Sequence, residues 1–428
     1  MPRIFVDLSP LRESVAFRRL WTGYVVNQVG SQLTVVALAY QVFRITGSSL
    51  AVGLVSLAQL IPGFVAPLAA GALGDTFDRR RLLFVTNAGG LLCSLGLAVN
   101  AQLGQRALWP LYALAAGSAC FSAADNPIRT ALLITVVERR LITSANVMRT
   151  LLQQTATVIG PTVAGVLLEF GLSPVYWVDV GSYVIVLVTL SRVSSPSDQR
   201  PQLRRKAGGP SLVTSLVDGI RYARSSQPIL GCLIADLSVN LLAMPESLFP
   251  AIGLHHLHGG SRTVGLLYAA PGVGALVMAL FSGWTRHVRR CGIAIVLSIG
   301  AWGVVLALFG LTDTLVLSLL LLAAAGAANA VSGVFRNTIV QTEAPDRLRA
   351  RLASIHSAVV IAGPRMGNTE SGVVASFVSP ETAILIGGIA AIVATGIIAV
   401  RMPKFLRYRL SPRGEGEAPD AQQAVAKA

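Results

Sequence analysis

GALGDTFDRRR, residues 71–81, sets two aspartates and three arginines between two apolar runs, SSLAVGLVSLAQLIPGFVAPLAA (48–70) before it and LLFVTNAGGLLCSLGLAV (82–99) after it. A run of about 18 or more residues with few charges is long enough to cross a bilayer as a helix. Applied along the chain, this rule predicts twelve spans, at roughly 20–43, 50–73, 82–103, 108–133, 143–168, 174–191, 228–252, 263–285, 291–312, 315–341, 351–378 and 380–400. Charged residues are 13% of the chain and apolar ones 53%. That is about half the charge of a soluble domain, too little polar surface to cover so much apolar helix. The expected class is an all-α polytopic membrane protein.

The formal net charge of +15 suggests nucleic acid, but its distribution argues against that partner. With the N-terminus placed in the cytoplasm, 28 Lys and Arg fall on cytoplasmic segments. Three (Arg44, Arg106, Arg262) fall outside and four (Arg129, Arg149, Arg336, Arg365) inside spans. Basic residues retained on the inner side set orientation, so both termini are expected in the cytoplasm, with the chain in the cell (inner or plasma) membrane. A polar N-terminus and a long first apolar run argue against a cleavable signal. Cys93, Cys120, Cys232 and Cys291 lack CxxC spacing and read as packing residues. No metal or other cofactor is expected, and HHLHG (255–259) reads as a solvated external loop.

The longest connection divides the chain. The expected organisation is a six-helix bundle over 1–191, a cytoplasmic linker over 192–227, a second bundle over 228–402 and a disordered cytoplasmic tail over 403–428. Within the linker, Leu212, Val213, Leu216, Val217 and Ile220 share one helical face after Ser211, which suits a short basic amphipathic helix on the inner leaflet. The halves echo each other. Arg129 stands nine residues before Glu138-Arg139, and Arg336 ten before Asp346-Arg347. Each pair precedes a helix with Gly-Pro inside it, Gly160-Pro161 in the fifth and Gly363-Pro364 in the eleventh. Repeated halves with interrupted helices are the mark of secondary transporters.

GALGDTFDRRR is similar to the G-x-L-x-D-R-x-x-R-[KR] signature of the major facilitator superfamily, and it lies between helices two and three as that family requires. TVIGPTVAG (157–165) looks like the superfamily's fifth-helix antiporter motif, carried here by Gly160, Pro161 and Gly165. FRRLW (17–21), TGSSLAVGLVSLAQLIP (46–62), NPIRTALL (126–133), GLLYAAPGVGALVMAL (265–280) and QTEAPDRLRARLAS (341–354) resemble the enterobactin-exporter-like branch across nearly the whole chain. Thr76 departs from the signature, which prefers arginine there. The resemblance implies two pseudo-symmetric six-helix bundles.

The charged stretch then reads as a latch. If the eleventh helix begins near Ala350, Asp75 set against its positive end gains roughly 0.3–1 kcal/mol. Arg79 and Arg80 are expected to pair with Asp125 or Glu138, while Gly71 and Gly74 let the backbone turn and the helices approach. Asp78 completes the set.

Charges inside spans are costly and usually functional. Asp125 and Arg129, four apart, share a face and can neutralise each other. Arg149, Gln153 and Gln154 make a polar stripe on the fifth helix, and Asn27, Gln28 and Gln32 another on the first. With Arg336, Arg365 and Asn368 they are candidates for lining a cavity. Gly160 and Gly165 allow close packing and Pro161 disrupts a backbone bond, so the motif is expected to seal the fifth helix against a C-half helix when the pore faces outward. In GPRMGNTESG (363–372), Arg365 and Glu370 are five residues apart and cannot pair directly, so one of them is expected to find a partner elsewhere, such as Asp236. Burial favours the neutral form of a carboxyl, which makes Glu370, Asp236 and also Asp125 candidates for carrying a proton. His356 reads as structural.

No P-loop is present, since Lys206, Lys404 and Lys427 precede Ala, Phe and Ala. No catalytic motif appears either. The expected function is a proton-coupled exporter of small amphipathic molecules, siderophore-like or drug-like, working as a monomer among membrane lipids by alternating access. A proton-coupled importer and a non-transporting lipid-handling or sensor protein are the alternatives.

Overall fold

The computed structural model describes residues 9–74, 77–104, 107–192, 221–242 and 244–409. The N-terminal half is built from α1 (Val15–Thr46), α2 (Ser49–Gly74), α3 (Arg79–Gln102), α4 (Trp109–Val136), α5 (Ile142–Leu167) and α6 (Leu172–Ser191). The C-terminal half holds α7 (Gln227–Leu242), α8 (Ser261–Leu280), α9 (Cys291–Phe309), α10 (Leu315–Glu343), α11 (Asp346–Val374) and α12 (Pro380–Arg401). Nine helices among the described residues are long and apolar enough to cross a membrane. The other three, α1, α4 and α11, run 32, 28 and 29 residues. Polar and charged groups keep these three out of that set, and those groups build the interior described below.

Local chemistry fixes the helix ends. Ser14 caps α1 by accepting the Phe17 N–H at 3.1 Å. Gly47 ends that helix at φ +64°, a left-handed conformation natural to glycine, and its N–H returns to Phe43 O at 2.7 Å. Asp78 caps α3, its Oδ1 accepting the N–H groups of Arg80 (2.7 Å) and Arg81 (3.2 Å). The second acid of GALGDTFDRRR is therefore a helix cap. Asp75 and Thr76 lie outside the described residues.

Within the first half α1 packs on α5 and α6, α2 on α4, and α3 on α4 and α6. Its core gathers Leu33, Val36, Leu97, Leu111 and Tyr176. In the second half α10 packs on α8 and α9, α12 on α9, and α11 on α7, around Phe249, Ile295, Trp302, Phe335 and Ile339. Between the halves the main seams are α2 on α11 and α5 on α8.

The chain is ordered past the expected end of the second bundle. The tail is not disordered from 403. Pro403–Leu406 is helical and Phe405 is fully buried, lying where a Cβ on Gly231 of α7 would come within 2.5 Å of its Cγ. An aromatic side chain with an apolar pocket at hand orders the backbone that carries it. Of the linker, residues 221–225 are helical, and 193–220, including the proposed amphipathic face, lie outside the described residues.

Candidate functional site

The seams are built from glycine. At the outer end of α5, meaning the end away from the chain termini, a Cβ on Gly165 would sit 3.0 Å from Gly265 Cα of α8, and Ser261 Oγ donates to Gly165 O at 3.0 Å. On the other seam Thr369 Oγ1 of α11 donates to Gly53 O of α2 at 3.1 Å, and Gly372 faces Ser49 O. Phe43 meets His255 edge to face, with ring centroids 5.4 Å apart. Small residues let backbones approach, and the inter-half contacts named here lie from the middle of the helices to the outer end. Toward the termini, a Cβ on Gly71 or Gly74 would meet nothing within 4 Å among the described residues, and Phe77 is 61% exposed. The molecule is shut at its outer end.

Within α5, Gly160 packs against Gln32 of α1, inside one half, and Gly165 alone of the motif glycines bridges the halves. If the termini are cytoplasmic, this α5–α8 contact lies at the external end of the bundle.

Of the polar groups, Asp125 and Arg129 form a two-contact pair, Nε–Oδ2 2.6 Å and Nη2–Oδ1 3.0 Å. Asn87 donates to Asp125 Oδ1 at 2.7 Å, and Arg129 also lies 5.0 Å over the Tyr24 ring. Arg149 reaches Thr130 Oγ1 of α4. Asn27 Nδ2 is buried without a partner among the described residues, Gln28 and Gln32 are half-buried and Gln153 is exposed.

Arg79 and Arg80 do not pair with Asp125 or Glu138. Arg79 Nη1 donates to Ala131 O at 3.0 Å, and Arg80 donates to Leu190 O (3.1 Å) and Ser191 O (2.7 Å). The last carbonyls of a helix lack intrahelical donors, so the end of α6 supplies Arg80 with acceptors, while Arg79 takes the second lone pair of a carbonyl inside α4. Asp125 is already occupied, and Glu138 pairs with Arg140 at 2.8 Å, which also holds Glu13.

Asp236 does not meet Arg365 or Glu370. Its Oδ1 lies 3.0 Å from Arg336 Nη2 of α10 and its Oδ2 3.1 Å from His356 Nδ1 of α11, with side-chain exposures of 1% and 7% for the acid and the arginine. Arg365 instead lays its guanidinium on Gly63 of α2, and its Nη1 is buried with no partner among the described residues. Asn368 donates to Glu246 Oε2 at 3.1 Å and accepts Ser247 N–H at 3.2 Å. Glu370 is half-buried beside Ser371. Asp179, an acid inside a span to which sequence reasoning gave no role, accepts from Thr34 (2.7 Å), Ser94 (2.7 Å) and Ser182 (3.3 Å). HHLHG is not a free loop. His256 contacts Asp313 (3.0 Å) and Glu381 (3.3 Å), tying down the outer rim.

Two bundles of helices joined by glycine seams, with paired charges buried in each, define a multi-pass membrane transporter. The chain belongs to the transmembrane secretion effector family of the major facilitator superfamily, which it matches over residues 6–427. It is 25% identical to enterobactin exporter EntS of Citrobacter koseri over 418 residues, 97% of this chain and 98% of the relative. Its fold is similar to the nucleoside transporter NupG (D323A mutant; TM-score 0.72, 14% identity, 90% of this chain and 99% of that one). It is also similar to a bacterial homologue of the lysosomal transporter Spinster in an inward-facing, unoccupied conformation (TM-score 0.70, 14% identity, 95% and 100%). The family and these relatives are transporters of small molecules, not enzymes.

Proposed function

We propose that this protein exports small amphipathic molecules, siderophore-like in chemistry, in exchange for protons, by alternating access with both termini cytoplasmic. The observation that carries the reading is the confinement of the named inter-half contacts to the middle and outer end, along two seams where glycine backbones meet. Helices joined in this way can part with little unpacking, because each half has its own core, the first extended at the outer seam by Ala251 and Val264 of the second. The relative's name supplies the substrate class, and the buried carboxyls supply groups able to carry a proton. One pH unit across the membrane is worth about 1.4 kcal/mol per proton, enough for about tenfold accumulation in one-to-one exchange.

The test is uptake of enterobactin into inside-out proteoliposomes with an imposed proton gradient and no ATP. Accumulation above the external concentration, abolished by an ionophore that collapses the gradient, is expected. Uptake at the same rate and extent without a gradient overturns the exchange mechanism.

A further inference from the structure

The seventh helix is interrupted. After α7 ends at Leu242, the chain resumes as a 3-10 turn (Pro245–Leu248), one helical turn (Phe249–Ala251) and a π-helical turn (Ile252–His256). Pro245 and Pro250 bring no N–H to the ladder. Broken helices at the meeting of two halves are where transporters place coupling ions, and the side chain standing at this break is a carboxylate, Glu246.

Its surroundings are neutral. From α11 the Asn368 amide donates to Glu246 Oε2, and from α8 the Tyr268 hydroxyl donates to its backbone oxygen at 2.7 Å. From α2, which packs against this turn, the residues at the seam are Ser49, Leu50 and Gly53, none of them titratable. Arg365 and Glu370 ride on α11 three residues before and two after Asn368, with Arg365 turned to Gly63. No ion pair to Glu246 is found among the described residues, whereas Asp125 and Asp236 each hold an arginine.

Asn368 also belongs to the seam. A Cβ on Gly53 would lie 2.7 Å from the Asn368 carbonyl oxygen, and the next residue, Thr369, donates to Gly53 O. Parting α2 from α11 must therefore move the residue that satisfies Glu246. We infer that Glu246 is the site that takes up and releases the exchanged proton, and that its charge sets whether the outer seam closes. This rests on the proton-exchange reading above.

In the closed arrangement seen here Asn368 donates to Glu246 beside the α2–α11 seam, and opening the seam exposes the carboxylate to outer water. When the seam is open, a proton from outer water adds to a carboxylate oxygen. The neutral carboxyl can then be enclosed as the seam closes, and the proton leaves to water on the cytoplasmic side once the inner end is open. No other bond is made or broken.

The experiment uses the full chain in proteoliposomes, spin-labelled through Arg44→Cys and Phe377→Cys, two exposed positions on opposite halves at the outer end. Falling pH is expected to shorten the label distance. Glu246→Gln should make the label distance independent of pH, with the short distance favoured, and cut gradient-driven enterobactin transport at least tenfold, while enterobactin exchange without a gradient continues. Glu246→Asp should restore the pH response with a displaced midpoint, and it decides the matter if the glutamine variant does not fold. A glutamine variant with the wild-type pH response and transport, or an aspartate variant with an unmoved midpoint, overturns the assignment and leaves proton exchange standing. A wild type whose distances and transport ignore pH removes both.

Discussion

Glu169, in the turn that ends α5, and Arg262, in the first turn of α8, grip each other across the two halves, Nε to Oε1 at 2.6 Å and Nη2 to Oε2 at 2.7 Å. The pair caps the α5–α8 seam at its outer rim, next to the Ser261–Gly165 hydrogen bond. Its side chains are 62% and 38% exposed for the arginine and the acid, so its strength is that of a surface pair, about 0–1 kcal/mol. A weak clasp suits a gate that must open in every cycle.

Glu169→Gln should therefore shift the closed–open balance of the outer end by only about two- to fivefold. Label distances across the rim read this out, and the shift should shrink in high salt, which screens the wild-type pair. The double exchange Glu169→Arg with Arg262→Glu is expected to recover the wild-type balance. If the single variant behaves as wild type at low salt, the pair is only a detail of surface charge with no part in gating.

The glycine contacts below it are expected to matter more. A Cβ on Gly265 would fall 2.5 Å from Pro161 O and 2.7 Å from Gly165 Cα, all backbone atoms that cannot step aside. Gly265→Val should hold the outer end ajar and lower enterobactin transport by tenfold or more while the protein still inserts and folds, since the clash is relieved simply by leaving the seam open. Normal transport in this variant would show that closure does not need the α5–α8 contact.

Asp236 and Arg336 give the opposite result, loss of fold before loss of function. Removing one member of a buried pair strands the other, at about 3–5 kcal/mol. Two further nitrogens of Arg336, Nε and Nη1, already lack hydrogen-bond partners among the described residues, so Asp236→Asn has nothing to fall back on. Its melting temperature in detergent should drop clearly, and Asp236→Asn combined with Arg336→Met should recover much of the loss. A stable single variant would mean that His356 or water substitutes for the lost charge.

Helix positions and the superfamily were legible because bilayer thickness imposes one length on every span, and hydropathy reports it directly. Asp125–Arg129 was legible because four residues make one helical turn. Asp236–Arg336 was not, since the two lie 100 positions apart on helices whose facing no local pattern reveals. Arg79 and Arg80 misled for a different reason. Matching cations to acids ignores backbone carbonyls, which here take both guanidinium groups, Arg80 at the free end of α6 and Arg79 within α4. The break in the seventh helix did leave a trace, two prolines five residues apart in MPESLFP (244–250), which an unbroken hydropathy run concealed.

Arg365 supports the last prediction, because its two roles demand opposite effects on stability. A guanidinium on the bare face of Gly63, with Nη1 buried and unpartnered among the described residues, is a cost to the empty protein. If the role is structural, Arg365→Met removes contacts across α2 and α11 and the protein melts lower. If the role is to meet an acidic group on the substrate, the same change relieves an uncompensated charge, so the melting temperature holds or rises while binding weakens. A charged hydrogen bond of about 1.5–3 kcal/mol corresponds to about 10- to 100-fold in affinity. Binding of 2,3-dihydroxybenzoate as the anionic probe, with its amide as the neutral control, separates these cases. The expected outcome is a stable variant that loses affinity for the anion and binds the amide as wild type does. Equal loss for both probes, or a lower melting temperature with unchanged discrimination, would remove Arg365 from substrate recognition and leave it as packing between the halves.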